Sequence, residues 1–143
     1  MTEEKNDQLR QQLIAAVVKK RAAIARAQEI VVRLLEPDVA EPEFLAMLWE
    51  IAPNHYTDIV DEREISRNCG YPLCSNVLQN VPNQKYQISA SQNKVYDITE
   101  RKKFCSGYCF RASEYIKAQV PTSPLWLRDR ELRPSFQLLL RDK

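Results

Sequence analysis

Four cysteines constrain this chain more than any other feature. They fall into two close pairs, Cys69-Gly-Tyr-Pro-Leu-Cys74 and Cys105-Ser-Gly-Tyr-Cys109. Each pair can grip one metal ion from a tight turn, and the stretch between the pairs is long enough for a hairpin that returns the second pair to the first. The only two glycines, Gly70 and Gly107, each lie inside a pair, and positive φ is expected there. Cys69, Cys74, Cys105 and Cys109 would fill every position around one Zn2+, leaving none for water or substrate, so the expected role of the metal is structural. Two disulfides or inert buried thiols are the alternatives. Lys5, Arg10, Lys19, Lys20, Arg21 and Arg26 interrupt every apolar run of a signal peptide. A cytosolic or nuclear setting is therefore expected, where thiols stay reduced and paired cysteines favour metal.

The rest of the chain reads as mostly α with a small β-hairpin, a treble-clef-like four-cysteine module joined to a helical part. One domain over residues 1–143 is expected, as a monomer. Residues 3–36 form one long helix without Gly or Pro, with an apolar stripe through Leu9, Leu13, Val17, Ile24, Val31 and Leu34 that should pack on its own domain, although at roughly 50 Å the helix is long enough for part of it to project and meet a partner. Residues 43–65 form a helical segment, with a helix at 43–51 and another starting near Pro53 that delivers the chain to Cys69. Residues 66–119 are the metal module, with strands at 85–88 and 94–98 and a helix over 106–118 whose first turn carries the second cysteine pair. In that helix Tyr108, Ala112, Tyr115 and Ile116 should share one side. Residues 120–143 are a tail, either a short helix or an extended segment. His55, the only histidine, reads better as a capping or surface residue than as a metal ligand.

Charge narrows the partners. Residues 1–65 carry −5, from eight Lys/Arg against thirteen Asp/Glu, whereas residues 85–118 carry +4, from seven against three. A basic excess confined to the cysteine-rich half suits an acidic or phosphorylated partner, and nothing indicates direct nucleic-acid binding or a membrane span. Arg67, Arg101, Lys102 and Lys103 are placed to offset the charge of four thiolates. Cys105 and Arg111 match the Cys-x5-Arg spacing of thiolate phosphatases, but Cys109 inside that loop ties it to metal and makes Cys105 a poor free nucleophile.

At these residues a likeness becomes specific. His55-Tyr56, Val60-Asp61-Glu62-Arg63, the first cysteine pair, Gln84-Lys-Tyr-Gln-Ile-Ser89, Lys94-Val-Tyr-Asp-Ile98, Phe104-Cys105 with Tyr108-Cys109, and Pro124-Leu-Trp126 together resemble the family of RNA polymerase II-associated protein two and its fungal counterparts. The resemblance implies an atypical phosphatase, or else a non-catalytic docking, assembly and import factor. The phosphatase would act on phosphoserine at the fifth position of the heptad repeat in the polymerase II carboxy-terminal domain. It also implies RNA polymerase II as partner, residence in nucleus and cytoplasm, and zinc on the four cysteines. The site candidates it suggests are Glu62 as acid or base, Tyr96 as nucleophile or water-orienting group, and Arg63 and Lys85 as phosphate contacts.

Overall fold

A computed structural model describes residues 2–141. Its architecture is mostly helical with one antiparallel hairpin. Helix α1 spans Thr2–Arg33, α2 Glu41–Met47, α3 Pro53–Ile65 and α4 Gly107–Gln119, while β1 (Tyr86–Ser89) pairs with β2 (Lys94–Asp97). Short 3-10 turns occupy Leu48–Glu50, Arg101–Lys103 and Leu125–Arg130. No helix among the described residues is long and apolar enough to cross a membrane.

The long helix stops a few residues before the expected 36. Its last turns tighten as Leu35 N bonds to Val32 O and Glu36 N to Arg33 O, and Asp38 then takes a φ of 65°. Only its final third is buried. Ala27, Ile30, Val31 and Leu34 enter the core, whereas Leu9, Leu13, Ile14, Val17 and Val18 are exposed. The expected stripe therefore does not pack along its whole length. A helix of 32 residues is roughly 50 Å long and outreaches a core of this size. Its last anchor toward the amino-terminal end is the Leu125–Arg130 turn, where Lys20 lies 4.7 Å from the Trp126 ring centroid and Lys19 pairs with Asp129 at 2.7 Å.

Helix α3 forms as the sequence reads, with Pro53 in its first turn. His55 caps it: Nδ1 accepts from the Ala52 N–H at 3.0 Å, satisfying a donor that the helix itself cannot. Phe44, Met47, Leu48, Ile51, Tyr56 and Ile59 complete the core with α1, and Ala112 and Ile116 bring in α4. Of the residues expected to share a side of α4, Tyr115 is exposed, and Ser113 is buried in its stead. The reason is a polar tie through the core, Tyr56 Oη to Ser113 Oγ at 2.8 Å, which satisfies two hydroxyls that burial would otherwise penalise.

Neither glycine has positive φ; that conformation falls to Asp38, Arg67, Asn80 and Asn93. Gly70 is required by close approach instead. A Cβ there would lie 2.9 Å from both Phe104 Cε1 and Val60 Cγ1 and 3.2 Å from Lys103 O. The tail takes up the 3-10 turn and then runs extended, with Phe136 buried.

Candidate metal centre and adjoining groove

Two local structures bring the cysteines together. After α3, a bridge between Asn68 and Val77 and the bond from Cys69 N to Asn76 O (2.9 Å) close the first pair into a knuckle. The second pair sits at the start of α4, where Ser106 is the N-cap and its Oγ accepts from Cys109 N at 3.1 Å. Gly70 N donates to Lys103 O at 2.9 Å and docks the two halves.

The four Sγ atoms lie within 4.8 Å of one another. Cys74 Sγ is 3.6 Å from Cys105 Sγ, which is 3.7 Å from Cys109 Sγ. Metal–sulfur bonds of about 2.3 Å in tetrahedral geometry give sulfur–sulfur edges of about 3.8 Å, so the donor set fits an ion of that kind. Cys105 N approaches Cys69 Sγ at 3.3 Å and Asn76 Nδ2 approaches Cys105 Sγ at 3.5 Å, contacts that favour thiolates. Ionisation is shared unevenly when no cation is present. Hydrogen bonding from Cys69 pulls Cys109 down to about 5 despite burial, and the same bond together with burial pushes Cys69 far up.

The buried cation tied to the first cysteine pair is Arg63, which is not among the four basic residues that sequence proximity nominates. Its side chain is buried; Nε donates to Cys69 O (2.8 Å), Nη2 to Cys74 O (2.7 Å) and Nη1 to Leu34 O (2.8 Å). One guanidinium thus joins the knuckle to the end of α1, and its donors are committed to carbonyls. The phosphate contact expected of Arg63 is replaced by this structural one. Of the nominated set, Lys103 instead pairs with Asp61 (2.7 Å) and Glu100 (3.1 Å), and Arg67 is exposed on the loop leaving α3. Arg128 is a second buried clamp that sequence reasoning missed. It donates to Trp49 O and Ile51 O through Nη1, and to Pro121 O and Ser123 O through Nη2. Neither arginine has a sequence signature, because carbonyls from any residue type can serve as its partners.

Beside the centre lies an open groove of about 720 Å³ between the 76–82 loop, the base of the hairpin and the Cys105–Ser106 turn. Arg101, Lys102 and Arg141 line it, with no carboxylate among its described lining residues. Gln87 and Ile98 also line it. Strand alternation puts Lys85 and Tyr96 on the hairpin face of those two residues, Gln87 being directly opposite Tyr96. Neither reaches the groove wall: Tyr96 Oη bonds to Gln92 Oε1, and Lys85 Nζ lies over the Tyr86 ring at 5.5 Å. Glu62 is exposed on α3. The four candidates therefore divide into a hairpin pair beside the groove, one exposed carboxylate and one buried clamp. Cys105 Sγ belongs to the sulfur cluster, while Arg111 folds back so that Nη1 lies 3.2 Å from where a Gly107 Cβ would be.

A family model described as "Rtr1/RPAP2 family" matches residues 49–121. The chain is 81% identical over 142 residues, 99% of both proteins, to a Drosophila melanogaster protein named "Putative RNA polymerase II subunit B1 CTD phosphatase RPAP2 homolog". It is 51% identical over 140 residues to a Bos taurus protein of the same name without the word homolog, and spans 23% of that protein. Among solved structures, Kluyveromyces lactis transcription regulator protein Rtr1 is similar with a TM-score of 0.66 at 23% identity, covering 84% of each chain. Saccharomyces cerevisiae Rtr1 is similar with a TM-score of 0.56 at 24% identity, covering 71% of this chain and 63% of that one. At such identities these two speak for the fold alone.

Proposed function

The chain belongs to the Rtr1/RPAP2 family, and from that premise we propose that it is a phosphatase of the RNA polymerase II carboxy-terminal domain, removing phosphate from the fifth serine of the heptad repeat. The observation that carries the reading is the phosphatase name of a relative matched along 99% of its length. The groove lined by Arg101, Lys102 and Arg141 supports it physically, because a surface whose described lining residues include three cations and no carboxylate suits a phosphorylated peptide. In this reading Arg101 and Lys102 meet the phosphate, Lys85 and Tyr96 approach from the hairpin, and Glu62 serves as acid or base. The metal is zinc, with a scaffolding role, since four thiolates leave it no open position. The protein works as a monomer on the polymerase, in nucleus and cytoplasm, without direct nucleic-acid binding.

A second reading is a docking, assembly and import factor that binds the polymerase without hydrolysing anything. The burial of Arg63 favours it, because that removes one phosphate ligand from the candidate site. Phosphate release from a phosphoserine heptad peptide by the metal-loaded protein separates the two. The phosphatase reading expects Arg101→Glu and Lys102→Glu to lower kcat/KM by about tenfold or more, and Tyr96→Phe or Glu62→Ala to lower kcat. Equal trace rates for wild type and the Tyr96 and Glu62 variants, with polymerase binding intact, would leave only the docking role.

A further inference from the structure

The extended segment at the end of the described chain is held in the manner of a bound peptide. Among the described residues, 132–141 make no backbone–backbone hydrogen bond; the last such bond runs from Glu131 N to Arg128 O. Side chains of α4 address its main chain instead. Gln119 Nε2 donates to Gln137 O at 2.8 Å while Gln119 Oε1 accepts from Gln137 N at 2.8 Å. The same Nε2 donates to Tyr115 O at 3.0 Å, which fixes the amide in place. Two residues further on, Tyr108 Oη donates to Leu139 O at 2.9 Å. These contacts read peptide groups and carry no side-chain information.

Selectivity comes from what is buried between them. Phe136 is 8% exposed and Leu138 and Leu139 pack against the core, whereas Leu132 and Leu140 are 97% and 85% exposed. Arg141 closes the array with its guanidinium 4.8 Å from the Tyr108 ring centroid. Main-chain pairing combined with pockets for a few side chains is how extended peptides are recognised.

We propose that the face of α4 between Tyr108 and Gln119 is a docking groove for an extended peptide, filled in cis by residues 135–141. The partner it fits is an extended segment with a bulky apolar residue at the Phe136 position, apolar residues at the Leu138 and Leu139 positions, and a cation to stack on Tyr108. A partner in trans must displace the segment, which competes at an effective concentration of order millimolar. Tyr108 lies between the ligands Cys105 and Cys109, so the floor of this groove is the metal loop. Arg141 also lines the cationic groove, and displacement would withdraw one of the three cations among its described lining residues. The proposal stands apart from the phosphatase reading and does not need hydrolysis.

The test uses the full chain carrying Phe136→Ser and Leu139→Ser, which frees the segment, and a fluorescent peptide with the sequence of residues 134–141. The double variant is expected to bind the peptide at least about tenfold more tightly than wild type. Gln119→Ala in that background should weaken binding by up to about tenfold, and a peptide with Ala at the Phe136 position should not bind. Equal affinity of wild type and the double variant, or indifference to Gln119→Ala, would overturn the proposal. So would loss of helical circular dichroism in the double variant, which would make the segment part of the core. Amide exchange of the wild type provides a further arm: the Gln137 and Leu139 amides should exchange far faster than those of α4, and equal protection would also overturn the proposal.

Discussion

Gly70 and His55 each do work at one position that no neighbour duplicates. Replacing Gly70 by Ala brings a methyl group to 2.9 Å from Phe104 and Val60, inside the joint between α3 and the second cysteine pair. Overpacking of this kind costs about 1–3 kcal/mol, which urea denaturation would read as a lower midpoint. Gly107→Ala is the control. Its nearest neighbour is the far end of the Arg111 side chain at 3.2 Å, so a change within about 0.5 kcal/mol is expected. For His55, burial, aided by Arg128, outweighs the opposing Asp58 carboxylate and holds the imidazole below its ordinary 6.5. The folded protein thus takes up this proton less readily than the unfolded chain. Its contribution is complete above about pH 6.5 and is lost as the pH falls through the lower folded value. His55→Gln keeps an acceptor at the third position of the helix but cannot titrate, so the slope of unfolding free energy below pH 6.5 should flatten. An unchanged slope would assign it elsewhere. His55 as a cap was legible because Pro53 marks where the helix starts. The packing role of Gly70 was not, since the atoms it avoids come from residues 60, 103 and 104.

Among the elements, α1 shows most clearly where periodicity stops being informative. Leu13 and Ile30 sit on apolar positions of the same helix, yet Leu13 is 60% exposed and Ile30 is fully buried. Leu13→Ala should change stability by no more than about 0.5 kcal/mol, whereas Ile30→Ala should cost about 2–5 kcal/mol. Comparable losses in chemical denaturation would mean that the amino-terminal half of α1 is covered in solution. The hairpin poses the same problem on a smaller scale. Alternation along its second strand puts Tyr96 and Ile98 on one face, and the register of the pair adds Lys85 and Gln87 to it. But both strands are largely solvent-exposed, so the pattern gave no way to tell what that face looks onto.

For the molecule as a whole, the four-cysteine cluster that could hold a metal is the joint between regions far apart in the chain. Its thiols come from the knuckle after α3 and the first turn of α4, and Arg63 extends the joint to Leu34 at the end of α1. Stripping the metal with a chelator should therefore do more than loosen residues 66–119. Amide exchange should accelerate at Ile30 and Leu34 as well as in α4, because the knuckle and the first turn of α4 no longer share an ion that holds them together and Arg63 loses the carbonyls that position it. If α1 keeps its protection while the knuckle loses it, the long helix is held by Lys19, Lys20 and core packing alone.

The sequence by itself determined what depends on neighbours along the chain: the helix starts, the hairpin, the ligand pairs and the family motifs. Cysteine spacing made the four-thiol cluster legible, since each close pair can grip one ion from a tight turn and the stretch between them can return the second pair to the first. Only the tertiary structure decided which half of α1 is buried, that Arg63 and Arg128 serve as internal clamps, and that residues 135–141 lie against α4. Each of these rests on backbone carbonyls, amides or open space contributed by distant segments, and a backbone group is the same whatever residue carries it.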